Sequence, residues 1–94
     1  MLNIRVSRRE FLKAVQIVEN AVFDNKIREV LSGVYIVASG DRIYLRGTDL
    51  ELSINSEIKG EVRSEGNIVI KHKIIGEFLK EIKDEFIELI EAQG

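Results

Sequence analysis

The sequence predicts an α+β domain, two helices packed on antiparallel sheet, and three observations support that class. Segments with period-two alternation run one after another through the middle of the chain. Two stretches, near residues 8–22 and 72–83, instead place apolar residues three and four apart. The order is strand, helix, three strands, then strand, helix, strand, which reads as one unit followed by the opening part of a second. With 94 residues there is room for one small domain and no more.

Residues 2–6, LNIRV, alternate and stop at Ser7. In Ser7-Arg8-Arg9-Glu10 the serine can cap the third helical amide while Glu10 reaches back to the cap, and Val6 can staple onto Phe11. Phe11, Leu12, Val15, Val18 and Val22 then form one apolar stripe. Residues 23–29, FDNKIRE, break the pattern and read as a loop. VLSGVYIVAS is a β-branched run closed by the turn Ser39-Gly40-Asp41, and RIYLRG and TDLELSINSEI continue the meander. Residues 59–66 are polar, with Gly60 and Gly66 as turn residues. NIVI is a short strand before a second helix, which carries Ile74, Ile75, Phe78, Leu79 and Ile82 on one face and ends near Lys83 and Asp84. EFIELIE alternates again and forms the last strand.

Composition narrows the function classes. The chain is 45% hydrophobic and 32% charged with no proline, which is globular rather than disordered composition. No cysteine is present, so disulfides, thiolate metal sites and cysteine nucleophiles are excluded. No apolar run reaches the roughly 20 residues of a membrane span, and MLNIRVSRRE has no secretory pattern; a soluble cytoplasmic protein is expected. The net charge of −2, from 14 basic and 16 acidic residues, is not that of a uniformly basic nucleic-acid binder, so any such contact must be local.

Candidate chemistry is sparse. Asp49 and Glu51 share a strand face at i and i+2 and could in principle share a metal or a proton. No second acidic or histidine cluster is placed to complete a site, so the ordinary reading is a turn: Gly47 gives a permissive backbone, Thr48 and Asp49 bond local amides, and Glu51 is solvated. His72, the only histidine, stands at the start of the second helix without a nucleophile turn or an orienting group. No glycine-rich phosphate loop occurs. No catalytic residue, metal ligand or cofactor is therefore assigned.

Charge on the helices is more informative. Arg9, Lys13, Gln16 and Asn20 follow at spacings of four, three and four, so they line one face of the first helix with no acid among them. On the second, Lys73, Lys80 and Lys83 share a face that Gly76 leaves low, with Glu77 nearby. Such stripes are ordinarily solvated helix faces. Side by side, however, two of them make a mildly basic, amide-rich surface suited to phosphate contacts without base readout. Acid is concentrated elsewhere, at Glu57, Glu61 and Glu65 and at Glu85, Glu88 and Glu91.

Three segments carry a family resemblance. SRREFLKAVQIV resembles the first helix of the bacterial sliding clamp, the β subunit of DNA polymerase III, with its basic start and Leu12-Lys13 pair. VLSGVYIVASGDRIYLRGTDLELSI is similar to that family's two strands and Gly-Thr-Asp-Leu-Glu turn, here residues 47–51. GNIVIKHKIIGEFLKEI resembles the strand and second helix. The match is to the N-terminal domain and covers the whole chain. It departs where the family commonly has Leu-Pro-Ile-Leu, since this chain reads Arg28-Glu29-Val30-Leu31.

The resemblance implies a non-catalytic processivity factor that encircles duplex DNA, without sequence preference, and tethers the replicative polymerase. It places Arg9, Lys13, Gln16, Asn20, Lys73, Lys80 and Lys83 toward the DNA, together with Asn25, Lys26 and Arg28 in the loop after the first helix, and it makes residues 45–54 a structural corner. It implies other clamp domains and subunits as ring partners, with polymerase and clamp loader engaged through domains absent here, and no membrane. It also implies that about two strands are missing after Glu91, which leaves sheet edges open to pairing with another chain. Two other classes are set against this one: a standalone interaction module with the same fold, and a small hydrolase that would need Asp49 and Glu51.

Overall fold

The computed structural model describes residues 1–21, 33–48 and 52–92. Strand β1 (Asn3–Ser7) leads into helix α1 (Arg8–Val18), which closes in a 3-10 turn (Glu19–Ala21). Four consecutive strands follow, β2 (Gly33–Ser39), β3 (Arg42–Thr48), β4 (Ser53–Lys59) and β5 (Glu61–Ser64). Then come β6 (Gly66–Lys71), α2 (His72–Glu81) and β7 (Phe86–Ile90).

The strands form two antiparallel sheets, ordered β5-β1-β7 and β4-β3-β2-β6. The two β-α-β units interlock across them. The first strand of each pairs with the second strand of the other: β1 with β7, and β6 with β2. This is the opening of a repeat that the element order suggests, now with a physical reason, because neither unit completes a sheet alone.

Alternation sets the inward faces. Ile36 lies across from Leu45 and Ala38 across from Ile43 in the larger sheet, and Leu2, Ile4 and Val6 point inward from the smaller one. Phe11, Ala14, Val15 and Val18 of α1 and Ile75 and Leu79 of α2 meet them in one continuous core. The start of α1 follows the expected cap: the Glu10 amide donates to Ser7 Oγ at 3.4 Å, with Val6 and Phe11 both buried. At the β2–β3 turn Gly40 adopts φ +66, the left-handed region where glycine carries no Cβ penalty, and its amide donates to Glu65 Oε2 at 2.7 Å.

Three details differ from expectation. Residues 61–64, expected within a polar turn region, are strand β5, paired with β1. Only Val62 is apolar in that segment, so pairing to an available edge, not local pattern, makes the strand. Helix α2 ends at Glu81; Ile82 is already extended (ψ 132), and its amide donates to Phe78 O at 3.2 Å. Lastly, α2 buries only Ile75 and Leu79 fully, while Ile74 and Phe78 are 57% and 49% exposed. Val22 and the expected loop at 23–29 lie outside the described residues.

Candidate nucleic-acid interface

Helix α1 turns its buried side chains toward both sheets and leaves Arg9, Lys13, Gln16 and Asn20 exposed on the opposite side. At 3.6 residues per turn the two sets are diametrically opposed, so the stripe is the part of the helix farthest from the core. No acid interrupts it. Glu10 flanks it on the side where α1 crosses β4, in a groove of about 390 Å³ shared with Lys13, Arg42, Glu57 and Lys59. Asn20 is partly committed, because its Nδ2 donates to Ile17 O at 3.1 Å and Gln16 O at 3.4 Å, which helps satisfy carbonyls left open at the helix end.

Helix α2 lies beside α1. Lys73 and Lys80, two turns apart, are exposed on it, and a groove of about 400 Å³ brings them together with His72, Gly76, Glu77 and Glu19 from the end of α1. A Cβ at Gly76 would meet nothing within 4 Å, so this side of α2 is low and open. Lys83 falls two residues beyond the helix, in the connection to β7, and so does not share the face of Lys73 and Lys80; the early helix end is the reason. Asn25, Lys26 and Arg28 are outside the described residues, as are Asp49 and Glu51.

The structure thus leaves Arg9, Lys13 and Gln16 of α1 and Asn20 of the 3-10 turn exposed in one stripe and brings Lys73 and Lys80 of α2 together in a separate groove at the end of α1. It also places Glu19 there, a residue the spacing argument did not single out. Finding it needed the relative position of the helices, for which one helix's sequence carries no signal. Counting exposed or partly exposed charges on both helices and the 3-10 turn apart from Arg8, the four cations Arg9, Lys13, Lys73 and Lys80 are equalled in number by the four acids Glu10, Glu19, Glu77 and Glu81. Arg8 is turned away, its Nε donating to Asp84 O at 2.9 Å. The surface therefore carries local positive stripes inside a balanced field. Among the described residues no group of three or more histidine, aspartate or glutamate side chains is placed to hold a metal ion. No helix among them is long and apolar enough to cross a membrane.

Two interlocked β-α-β units, with two antiparallel sheets and a pair of helices packed on them, define a clamp-type domain. The chain belongs to the family described as DNA polymerase III beta subunit, N-terminal domain, whose model matches residues 2–93. It is 30% identical over 92 residues to the beta sliding clamp of Halalkalibacterium halodurans, a match covering 89% of this chain and 24% of that protein. The crystal structure of the Bacillus subtilis polymerase sliding clamp superposes with a TM-score of 0.90 at 27% identity, over 98% of this chain and 26% of that one. A Pseudomonas aeruginosa sliding clamp bound to griselimycin gives 0.88 at 26%, again over 98% and 26%. The chain spans about a quarter of the length of these proteins.

Proposed function

We propose that this chain serves as one wall segment of a DNA sliding clamp. Its helical surface faces duplex DNA, and its partners are other clamp domains that complete a ring. Polymerase and clamp loader are engaged elsewhere in that ring. The chain itself performs no catalytic step and works in the cytoplasm as a tether. Arg9, Lys13, Gln16, Asn20, Lys73 and Lys80 meet phosphates, with Asn25, Lys26, Arg28 and Lys83 as further contacts from the adjoining segments.

The observation that carries this reading is the acid-free stripe on α1, directly opposite its buried face, on a helix packed beside the one that carries Lys73 and Lys80. Magnitude favours sliding over gripping. Each neutralised phosphate contributes a slope of about −0.9 to log K against log salt. Four cations would therefore lose about a hundredfold in affinity between 50 and 200 mM salt, and the neighbouring glutamates reduce the attraction further. A surface this weak holds DNA only when something else prevents escape, which a closed ring does.

The test is a titration of the isotope-labelled chain with a short duplex, followed by amide shifts at low and moderate salt. Fast-exchange shifts confined to the α1 stripe and the Lys73 and Lys80 region are expected. They should fade with salt and disappear in Lys13→Glu/Lys80→Glu. Shifts centred on the outer faces of the sheets, or none at low salt, would sink the assignment.

A further inference from the structure

The outer face of the larger sheet combines exposed aromatic rings with an excess of positive charge. Its strands run in the order β4-β3-β2-β6, and the register arranges their outward side chains in rows. One row reads Asn55, Arg46, Tyr35 and Val69, and the next reads Glu57, Tyr44, Val37 and Asn67. Both tyrosines of the chain therefore stand on the two central strands, diagonal to one another, each with a valine directly across. Tyr44, Val37 and Val69 are 43%, 40% and 48% exposed.

The outward strand positions of this sheet carry Arg42, Arg46, Lys59 and Lys71 against one acid, Glu57. Glu57 is held by Arg42 at 3.6 Å, at the end of the face where Asp41 of the β2–β3 turn also approaches Arg42, at 3.9 Å. In the smaller sheet the outward charges cancel, Arg5 and Arg63 against Glu61 and Glu88, as do those of the helical surface. A chain of net charge −2 thus keeps a cationic excess on this face. Arg46 is its centre. Its Nη2 donates to Ser53 Oγ at 3.3 Å, and Ser53 Oγ donates in turn to Thr48 Oγ1 at 3.0 Å. No carboxylate among the described residues pairs with it. With Tyr35 these side chains line a depression of about 430 Å³, one guanidinium among three hydroxyls, which is a donor set suited to phosphate oxygens.

Continuation of the repeat leaves this face as it is. The larger sheet already holds three strands of the first unit and the opening strand of the second, and further strands of the second unit would extend the smaller sheet beyond β7. A permanent protein layer here would bury Arg46, Asn55, Asn67 and Lys71 at a high desolvation cost. A polar, reversible occupant is what the composition admits.

We propose that this face binds single-stranded nucleic acid without sequence preference, phosphates at Arg46 and its hydroxyls, bases stacked on Tyr44 and Tyr35. Rings that accept any base, beside cations that follow the backbone, are the two parts such binding needs. An acidic peptide satisfies Arg46 but supplies no series of planar groups for the two tyrosines. A duplex keeps its base faces stacked inside. The helices lie on the other side of the sheet, so this contact is separate from the one proposed for duplex DNA and does not depend on it.

Tyrosine emission gives a direct test, because the chain has no tryptophan and both tyrosines are on this face. An oligothymidylate of about 12 nucleotides, within the span of one such site, should quench the emission of the full 94-residue chain, after correction for absorption by the oligonucleotide, and raise the anisotropy of a labelled strand in parallel. Tyr44→Ala should weaken binding by about 5- to 150-fold, the loss expected for one stacked base. Arg46→Gln, at an exposed position, should reduce the slope of log K against log salt by about 0.7. Binding of the strand with emission unchanged, or with both variants equal to the parent, overturns the proposal. Equal quenching by a duplex of the same length, or by polyglutamate, overturns it too and leaves the face to phosphates alone or to an acidic polypeptide. Absence of binding at low salt does the same, and none of these results bears on the amide shifts expected at the helices.

Discussion

At Gly60 the chain leaves β4 and enters β5, crossing from one sheet to the other, and the space there is closed. A Cβ at this position would lie 2.5 Å from Ile43 Cδ1, 2.8 Å from Val6 Cγ1 and 3.1 Å from Arg5 O. Ile43 and Val6 are core residues with no freedom to retreat, so Gly60→Ala overpacks the junction between the sheets and should cost about 1–3 kcal/mol. The nearest clash is with a terminal methyl that valine lacks. Ile43→Val alone should cost about 0.5–1.5 kcal/mol, yet in the Gly60→Ala background it should recover part of the loss. Urea unfolding of the four proteins measures this coupling, and strict additivity would show that the crossing relaxes by backbone movement instead. The residue was visible in the sequence as a turn glycine, but its reason was not. What fixes Gly60 is two side chains distant in sequence, and only the assembled sheets bring them there.

The elements divide by how local their causes are. The start of α1 was readable because Ser7, Glu10, Val6 and Phe11 are all within five positions; β2 was readable as a β-branched run closed by a turn, and β3 because it alternates. Strand β5 was not, since one valine among polar residues gives no period and its partner β1 is nearly sixty positions away. The end of α2 was read too late: Ile82 continues the helical spacing of Ile75 and Leu79, but it packs on the core from an extended backbone. Lys83 was lost from the helical face for that reason. The exposed half of α2's apolar arc was also unreadable, because periodicity gives the width of a stripe and not how much of it is covered. Gly76 offers a clean test of this helix. It lies in the interior of α2 with open space where a Cβ would go, so Gly76→Ala removes the entropy cost of a helical glycine without a clash. A gain of about 0.5–1 kcal/mol is expected, seen as a rise of about 2–8 °C in Tm. A loss would mean that the low wall of the groove between the helices is held closed by something the alanine displaces.

Over the whole molecule, the interlocked units predict a single cooperative transition. β1 is the central strand of its sheet, between β5 and β7, and the two chain ends are tied across it: the Leu2 amide donates to Glu91 Oε1 at 3.0 Å in addition to the ladder bonds. Leu2, Ile4 and Val6 share one core with Ile36, Ile43 and Leu45 of the other sheet, so neither sheet keeps its apolar face covered if the other opens. Ile4→Ala, at a fully buried position, should remove about 2–5 kcal/mol, a large part of the 5–15 kcal/mol, approximately, available to a small domain. Both tyrosines, Tyr35 and Tyr44, lie in β2 and β3, so tyrosine emission reports on the larger sheet, whereas Ile4 is in the smaller. Emission and far-UV circular dichroism should shift to the same lower urea midpoint in Ile4→Ala, measured at one fixed protein concentration because association would move both. If the emission transition keeps its parent midpoint while circular dichroism falls, the two sheets unfold separately, and the interlock of β1 with β7 and β6 with β2 does not couple them.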